Sequence, residues 1–201
     1  MRKIRIMEHI SLDGVISPSA RGEDSEYANG GWSAPYRSAA GAEAYAAAYG
    51  SDYDLLLGRR TYDLWAGFWP KITEGPFAKG LNSATKYVAT HRPEGLEWGP
   101  VGHLGAEVMA GIRRVKSGDG PDLIISGSST LTSVLLEQGL VDEVVLAVYP
   151  LLLGRGKRLF SESADPRELA LVSTMATPTG VLLNTYRCVE SQRTESAAAS
   201  T

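Results

Sequence analysis

Two short apolar runs in this chain each end at glycine and at side chains that can bind an anion. Residues 55–57 (LLL) lead into residues 58–62 (GRRTY), and residues 123–125 (LII) lead into residues 126–130 (SGSST). A buried strand that passes into a helix in this way leaves unpaired backbone N–H groups at the helix start, where they favour a phosphate. Two such turns in one small chain predict a phosphorylated ligand that contacts both.

Other phosphate-binding and catalytic motifs do not describe these turns. The chain has no Gly-x-Gly-x-x-Gly after a predicted strand, and residues 154–158 lack the earlier glycine and the trailing hydroxyl of a P-loop. Residues 127–131 lack the second glycine of the Gly-x-Ser-x-Gly hydrolase motif. The three histidines are scattered and Cys188 is the only cysteine, so we expect no metal site.

The composition indicates one soluble domain. With 201 residues, 43% of them hydrophobic, a single domain can bury about 70% of its unfolded surface. The net charge is −3 and the basic cluster at residues 155–158 is short, which argues against nucleic-acid binding. No apolar run approaches the roughly 20 residues of a membrane helix, and the first ten residues do not resemble a secretory signal. We expect a cytoplasmic protein with no membrane or nucleic-acid partner.

The hydrophobic pattern predicts strands and helices in alternation. Residues 55–57 are apolar without a break, as in a strand covered on both faces, so helices should flank the sheet. A turn at residues 177–180 predicts a closing antiparallel hairpin, which makes the sheet mixed rather than wholly parallel. The predicted strands are 3–10, 55–57, 86–90, 123–125, 144–149, 169–175 and 181–188, and a helix is predicted at about 36–49.

Two segments fall outside this pattern. Residues 17–35 are rich in Gly, Ser and charge, and a loop of this length is more often functional than not. Residues 190–201 are rich in Ser, Ala, Thr and Glu without periodicity, which predicts a disordered tail. The predicted domain is therefore 1–189.

Taken in order, several segments resemble the dihydrofolate reductase-like superfamily, and in particular the C-terminal reductase domain of the bifunctional riboflavin-biosynthesis deaminase/reductase. The resemblance extends from Ile4 to about Cys188. It rests on residues 11–14 (SLDG), 57–62 (LGRRTY), 86–90, 126–128 (SGS), and 139–143 running into 149–160.

The resemblance implies a three-layer α/β/α domain whose mixed sheet binds NADPH at the carboxyl ends of its parallel strands. It assigns the cofactor phosphates to Gly58, Arg59, Arg60 and Thr61, the 2′-phosphate region to Thr90, His91 and Arg92, the pyrophosphate to Gly127, Ser128, Ser129 and Thr130, and the nicotinamide to Ile16 and Ser126. A guanidinium suits a 2′-phosphate because its forked donors match phosphate oxygens.

Each assignment has a structural alternative. Arg59 and Arg60 are also ordinary residues for a solvated first helical turn, and residues 127–129 are equally a tight turn with a serine N-cap. His91 and Arg92 fit an exposed loop as well as a cofactor contact.

Two carboxylates are candidates for the proton donor. Glu43, on the predicted helix before the GRRT turn, matches the place of the dihydrofolate reductase carboxylate, and burial among alanines would raise its pKa. The alternative is an ordinary solvent-facing glutamate, which is the usual state of a lone glutamate on a helix. Asp13 belongs to the SLDG segment that the resemblance covers, and it is also a typical turn residue. Trp32, in the long loop, either closes on a flat substrate or anchors the loop to the core.

These observations predict a stand-alone NADPH-dependent reductase acting on a small pyrimidine or pteridine heterocycle, with the phosphoribosylamino-uracil reductase of riboflavin biosynthesis as one candidate type. The alternatives are a non-catalytic dinucleotide-binding protein of the same fold, or a true dihydrofolate reductase. The resemblance also implies a homodimer, for which Val148 and residues 151–153 offer apolar surface.

Overall fold

The fold is arranged around a central strand, β1, that lies between two parallel neighbours. The computed structural model describes residues 1–16, 31–160 and 166–189. In these residues eight strands form one sheet in the order β4-β3-β2-β5-β1-β6-β8-β7. The strands are β1 (Ile4–Ser11), β2 (Tyr53–Gly58), β3 (Lys86–Ala89), β4 (Val101–Gly102), β5 (Asp122–Ile125), β6 (Glu143–Tyr149), β7 (Leu169–Ala176) and β8 (Leu182–Cys188), and the helices are α1 (Ala39–Tyr49), α2 (Arg59–Ala66), α3 (Pro76–Ser83), α4 (Val108–Ser117) and α5 (Ser129–Glu137).

The sheet is mixed and mostly parallel. All pairings among strands β1 to β6 are parallel. Strand β8 runs antiparallel to both of its neighbours, β6 and β7. The last two strands therefore form a C-terminal hairpin, as the turn at residues 177–180 predicted. This confirms the predicted α/β fold with a closing antiparallel hairpin.

The sheet is covered on both faces, because neighbouring strand residues pack into different cores. In β2, Leu56 belongs to a core that includes Ile112 of α4 and Leu135 of α5. Its neighbours Leu55 and Leu57 belong to a second core with residues of α1, α2 and α3. Alternate side chains of a strand point to opposite faces, so the uninterrupted apolar run serves both cores. The three-layer α/β/α arrangement follows.

The predicted and observed elements differ at a few boundaries. Helix α1 begins at Ala39 rather than residue 36, because the Ser38 hydroxyl accepts the Gly41 N–H at 3.1 Å and caps it there. The two-residue strand β4 is too short to leave a sequence pattern. The predicted tail at 190–201, and residues 17–30 of the predicted long loop, lie outside the described residues.

Neither a membrane-crossing helix nor a metal-binding cluster is found in the described part of the chain. The helices of residues 1–16, 31–160 and 166–189 are too short or too polar to cross a bilayer. The same residues contain no group of three or more His, Cys, Asp or Glu side chains that could hold a metal ion.

Candidate functional site

The two turns that are predicted to bind a phosphate meet at the carboxyl edge of the parallel sheet. Strand β2 ends at Gly58 and β5 ends at Ile125, and the two strands are paired neighbours. Helix α2 begins directly after β2, and α5 begins at Ser129, after the short turn that follows β5. In open α/β sheets this edge is where ligands bind.

Direct hydrogen bonds join the two turns. The Gly58 N–H donates to the Ser128 hydroxyl at 2.9 Å, and the Ser128 hydroxyl donates to Thr61 Oγ1 at 2.9 Å. The Ser128 N–H also donates to Thr61 Oγ1, at 3.2 Å. We call this set of three residues the turn junction.

The β5–α5 turn has an unusual backbone that depends on glycine. Gly127 has a φ of +60°, and Ser128 is the one described non-glycine residue with a positive φ, at 48°. A Cβ on Gly127 would lie 3.1 Å from the Thr61 hydroxyl oxygen, tighter than ordinary contact. The glycine therefore permits both the left-handed turn and the close approach of α2.

Neither helix of the junction is capped by a side chain. Gly58 and Ser128 hold the N-cap positions of α2 and α5, and neither makes a side-chain capping bond. The first N–H groups of a helix have no partner within it. Two uncapped helix starts therefore lie beside one another, each bearing partial positive charge.

Glu8 is a buried carboxylate at this site that sequence reasoning missed. It is 4% exposed, and its Oε2 accepts the Gly127 N–H at 2.5 Å while Oε1 accepts the His9 N–H at 3.1 Å. The neighbouring Ser126 hydroxyl donates to the Met7 carbonyl at 2.7 Å. An acidic residue in the middle of a predicted strand was the available signal, because buried carboxylates are rare unless they are bonded.

The predicted phosphate-contacting arginine Arg59 holds a neighbouring loop. Its Nε contacts Asp63 at 2.8 Å, and its Nη1 donates to the carbonyls of Arg92 and Glu94 at 2.6 and 3.0 Å. Thr90 closes this loop by accepting the Arg92 N–H at 3.0 Å. Arg59 thus ties the first turn of α2 to the loop that follows β3.

The other predicted residues of this region differ in exposure. His91 is exposed in the same loop, and Arg60 is exposed in the first turn of α2. Both lie at the carboxyl edge of the sheet, where a guanidinium or imidazole is accessible to an anion.

On the other side of the junction, α5 lines an open cavity. The cavity has a volume of about 320 Å³, and its lining includes Ser129, Thr130, Lys157 and Arg158. Ile16 is buried near this wall, in the core that contains Leu135 of α5, and its N–H donates to the Lys157 carbonyl at 2.8 Å. Two of the predicted pyrophosphate residues, Ser129 and Thr130, therefore line a depression that also contains two basic side chains, and Ile16 is bonded to the backbone of one of them.

Asp13 is bonded to the loop after β6. Its carboxylate accepts the Ser11 hydroxyl at 2.5 Å and the backbone N–H groups of Leu153 and Gly154 at 3.1 and 2.7 Å. These bonds, first that of Ser11 and then that of Leu153, lower the pKa of Asp13 to about 2. The carboxyl group is therefore ionised at neutral pH.

Glu43 and Trp32 lie in contrasting environments. Glu43 is exposed on α1, where water reaches its carboxylate. Trp32 is 7% exposed and packs edge-on against Tyr149 with ring centroids 5.0 Å apart. Trp32 therefore anchors the end of its loop to β6, and its Nε1 is buried with no hydrogen-bond partner among the described residues.

A second polar group missed by sequence reasoning surrounds His9. Its Nδ1 lies 2.8 Å from the Tyr149 hydroxyl, and its ring lies 4.4 Å from that of Tyr45 on α1. Burial, and to a smaller extent the charge of Arg37, lowers the pKa of His9 to about 4. Because the β1–β6 register cannot be read from sequence, the pairing of His9 with a tyrosine 140 residues away could not be predicted.

The low pKa of Asp13 predicts a pH-dependent contribution to stability. A carboxyl whose pKa is lower in the folded than in the unfolded chain stabilises the fold above its unfolded pKa, about 4. We expect the difference in unfolding free energy between wild type and Asp13→Asn to be constant above about pH 5 and to shrink as the pH falls from about 4 to about 2. Urea unfolding at several pH values measures this difference.

Asp119→Asn is the matched control, since Asp119 is an exposed carboxylate beyond α4. A pH-independent effect of Asp13→Asn, equal to that of the control, would contradict the ionic role of the Asp13 bonds.

Comparison with known proteins identifies the family. The family model of the RibD C-terminal domain matches residues 2–183. The uncharacterized protein YyaP of Bacillus subtilis (strain 168) is 29% identical over 136 residues, which are 66% of this chain and 72% of YyaP.

Solved structures support the same fold. A pyrimidine reductase-like protein from Corynebacterium diphtheriae aligns with a TM-score of 0.60 at 15% identity, covering 94% of this chain and 93% of that one. Dihydrofolate reductase from Enterococcus faecalis, complexed with NADP(H) and RAB-propyl, aligns with a TM-score of 0.58 at 16% identity, covering 94% of this chain and 97% of that one. With a family model that spans nearly the whole chain, this protein belongs to the RibD C-terminal domain family, whose fold is that of dihydrofolate reductase.

Proposed function

We propose that the protein is an NADPH-dependent reductase that transfers a hydride to a small heterocyclic substrate of the pyrimidine or pteridine type. The observation that carries the proposal is the turn junction, where two uncapped helix starts are joined through Thr61 and Ser128 beside the arginines of α2. Two adjacent sites of partial positive charge suit the two phosphates of a dinucleotide.

The residues present fit such a cofactor. Thr61 and Ser128 bring hydroxyl groups to the junction, and Ser129 and Thr130 line the adjoining cavity with the cationic Lys157. In our proposal residues 58–61 and 127–130 surround the pyrophosphate, and Ile16 and Ser126 flank the nicotinamide. When bound, the nicotinamide supplies the hydride, so the protein has to orient the two reactants and exclude water.

The arginines and the β3 loop would distinguish NADPH from NADH. Arg59 holds the loop of Thr90 and Arg92 through a backbone carbonyl of that loop. His91, in the same loop, and Arg60, in the first turn of α2, are both exposed at the carboxyl edge of the sheet. A cluster of cationic donors there would bind the 2′-phosphate that NADH lacks. One solved structure of the same fold supports a preference for NADPH, since the Enterococcus faecalis dihydrofolate reductase was solved with NADP(H).

For the proton, we propose that Asp13 acts as a positioning residue. An ionised carboxylate with a pKa of about 2 has no proton to donate at neutral pH. Its oxygens accept the backbone N–H groups of Leu153 and Gly154 and so hold the loop after β6 in place. Glu43 is exposed on α1 and would deliver a proton through solvent. In this proposal Trp32 lines the substrate side of the site.

NADPH binding provides the first test. We expect Arg60→Gln to weaken NADPH binding about tenfold and to leave NADH binding unchanged, because one charge-assisted hydrogen bond to the 2′-phosphate is lost. Isothermal titration calorimetry with both nucleotides measures this difference.

Arg113→Gln is the matched control, since Arg113 is an exposed arginine on α4 that donates to Gln138 at 2.5 Å. No detectable NADPH binding by the wild type, or unchanged binding after Arg59 and Arg60 are both replaced, would reject the proposed cofactor site.

Two alternatives are separated by turnover. A non-catalytic dinucleotide-binding protein of this fold would bind NADPH without oxidising it, and a true dihydrofolate reductase would oxidise it with dihydrofolate. We expect loss of NADPH absorbance with a pyrimidine or pteridine substrate carrying a reducible C=N or C=O bond, and little with dihydrofolate. Binding without oxidation across such a panel would favour the non-catalytic alternative.

We also propose that the protein is a cytoplasmic homodimer that pairs through β7. This edge strand contains no charged residue, and its Leu171, Val172 and Met175 side chains are 58%, 61% and 43% exposed. Edge strands are commonly protected by charge or by cover. Of the residues first considered for the interface, Leu152 is 76% exposed, whereas Leu151 and Leu153 pack against the core that contains Trp32.

The β7 interface predicts a specific monomerising substitution. At micromolar protein concentration, Val172→Lys should convert the dimer to a monomer, because a lysine on the edge strand opposes its pairing with a second strand. Leu152→Lys places the same charge on an exposed leucine outside β7 and should leave the dimer intact. Sedimentation velocity reports the mass of each variant, and a dimer lost only with Leu152→Lys would move the interface to the loop after β6.

A further inference from the structure

His9 lies where the second core opens towards the ligand-binding edge. It follows Met7 on the same face of β1, and Met7 is fully buried whereas His9 is half-buried. Its register partner on β6 is Ala147, which has a short side chain. On this face of β1 only Ser11, the final residue of the strand, lies beyond the imidazole.

Hydrogen bonding fixes which ring nitrogen of His9 carries the proton. The low pKa makes the ring neutral at pH 7, and burial raises the pKa of Tyr149 to about 12, so its phenol is protonated. A phenol is a better donor than a neutral imidazole N–H, so the Tyr149 hydroxyl donates to Nδ1 across the 2.8 Å contact. The one ring proton of His9 then resides on Nε2.

Two ring N–H groups beside Tyr149 meet no acceptor in the described part of the chain. The hydrogen bonds of His9 to described residues involve only its backbone N–H and Nδ1, so Nε2 has none there. The Nε1 of Trp32 is buried and likewise has no partner. The rings of both residues contact that of Tyr149, at 5.6 and 5.0 Å between centroids. The charge of Arg37 acts on both His9 and Tyr149.

We propose that His9 is a specificity-determining residue of the reductase proposed above, and that Nε2 donates a hydrogen bond to an acceptor atom on the edge of a planar substrate. Tyr149 is the positioning residue that sets this tautomer, and Trp32 offers a second donor to the same ligand. The ring N–H groups of His9 and Trp32, together with the Arg37 guanidinium, favour a substrate edge that is rich in hydrogen-bond acceptors, such as a ring carbonyl beside an unprotonated ring nitrogen. This inference rests on the proposed function, because the substrate must reach the carboxyl edge of β1.

Binding of lumazine, a planar pteridine dione, tests the role of His9. We expect His9→Leu to weaken lumazine binding about tenfold in the presence of saturating NADP⁺, because one hydrogen bond is lost at similar side-chain volume. His9→Gln, whose amide can donate from a similar position, should bind within about threefold of the wild type. Fluorescence titration gives the dissociation constants.

Nitrogen NMR of the histidine ring provides a readout that a purely structural role would not change. We expect a protonated Nε2 and an unprotonated Nδ1 in the free protein, with lumazine shifting the Nε2 resonance. Tyr36→Phe is the matched control, since the Tyr36 ring also lies edge-on to Tyr149 and has no contact with the imidazole among the described pairs. It should leave both readouts unchanged.

The outcomes separate this inference from the proposed function. Failure of the wild type to bind NADPH rejects the proposed function, whatever lumazine does. If NADPH binds equally to the wild type and to the His9 variants, then absence of lumazine binding to the wild type, equal lumazine affinity in His9→Leu, or a protonated Nδ1 would each overturn the role of His9.

Discussion

The site depends on the hydrogen bonds between Thr61 and Ser128, because they hold the ends of β2 and β5 in register. The Ser128 hydroxyl accepts from Gly58 and donates to Thr61, so one side chain joins a strand end to the helix that follows it. This geometry requires a left-handed backbone at a non-glycine residue, which costs about 1–2 kcal/mol. Three hydrogen bonds at about 0.5–1.5 kcal/mol each offset that cost. The strained serine is thus supported by the contact that it makes.

The turn junction also determines which backbone donors remain for a ligand. The N–H groups of Gly58 and Ser128 are bonded within the junction, and that of Gly127 is bonded to the buried carboxylate of Glu8. A phosphate placed against Gly127 would meet the negative charge of Glu8 at close range. Donors further into the first turns of α2 and α5, together with hydroxyl and cationic side chains, are therefore better placed for an anion than the glycine N–H itself.

The elements of the fold were predictable where their signal was local. Unbroken apolar residues at 55–57 and 123–125 predicted strands covered on both faces, and the two cores confirm this. The turn at 177–180 predicted the hairpin for the same reason. Strand β4 escaped prediction because two residues carry no periodicity, and its pairing with β3 depends on a distant partner.

The site was predictable only in part, because its contacts are long-range. Glycine and hydroxyl residues identified both turns, and the parallel order of β2 and β5 brings them together. The roles of Glu8 and His9 depend on how β1 pairs with β5 and β6, which no local pattern records. Successive β1 residues point to opposite faces, so one contacts the cofactor-side turn at Gly127 and the next contacts Tyr149 of β6. The central strand therefore links the two halves of the site, and a shift of one residue in its register would remove the Glu8 carboxylate from Gly127 and the His9 imidazole from Tyr149 at the same time.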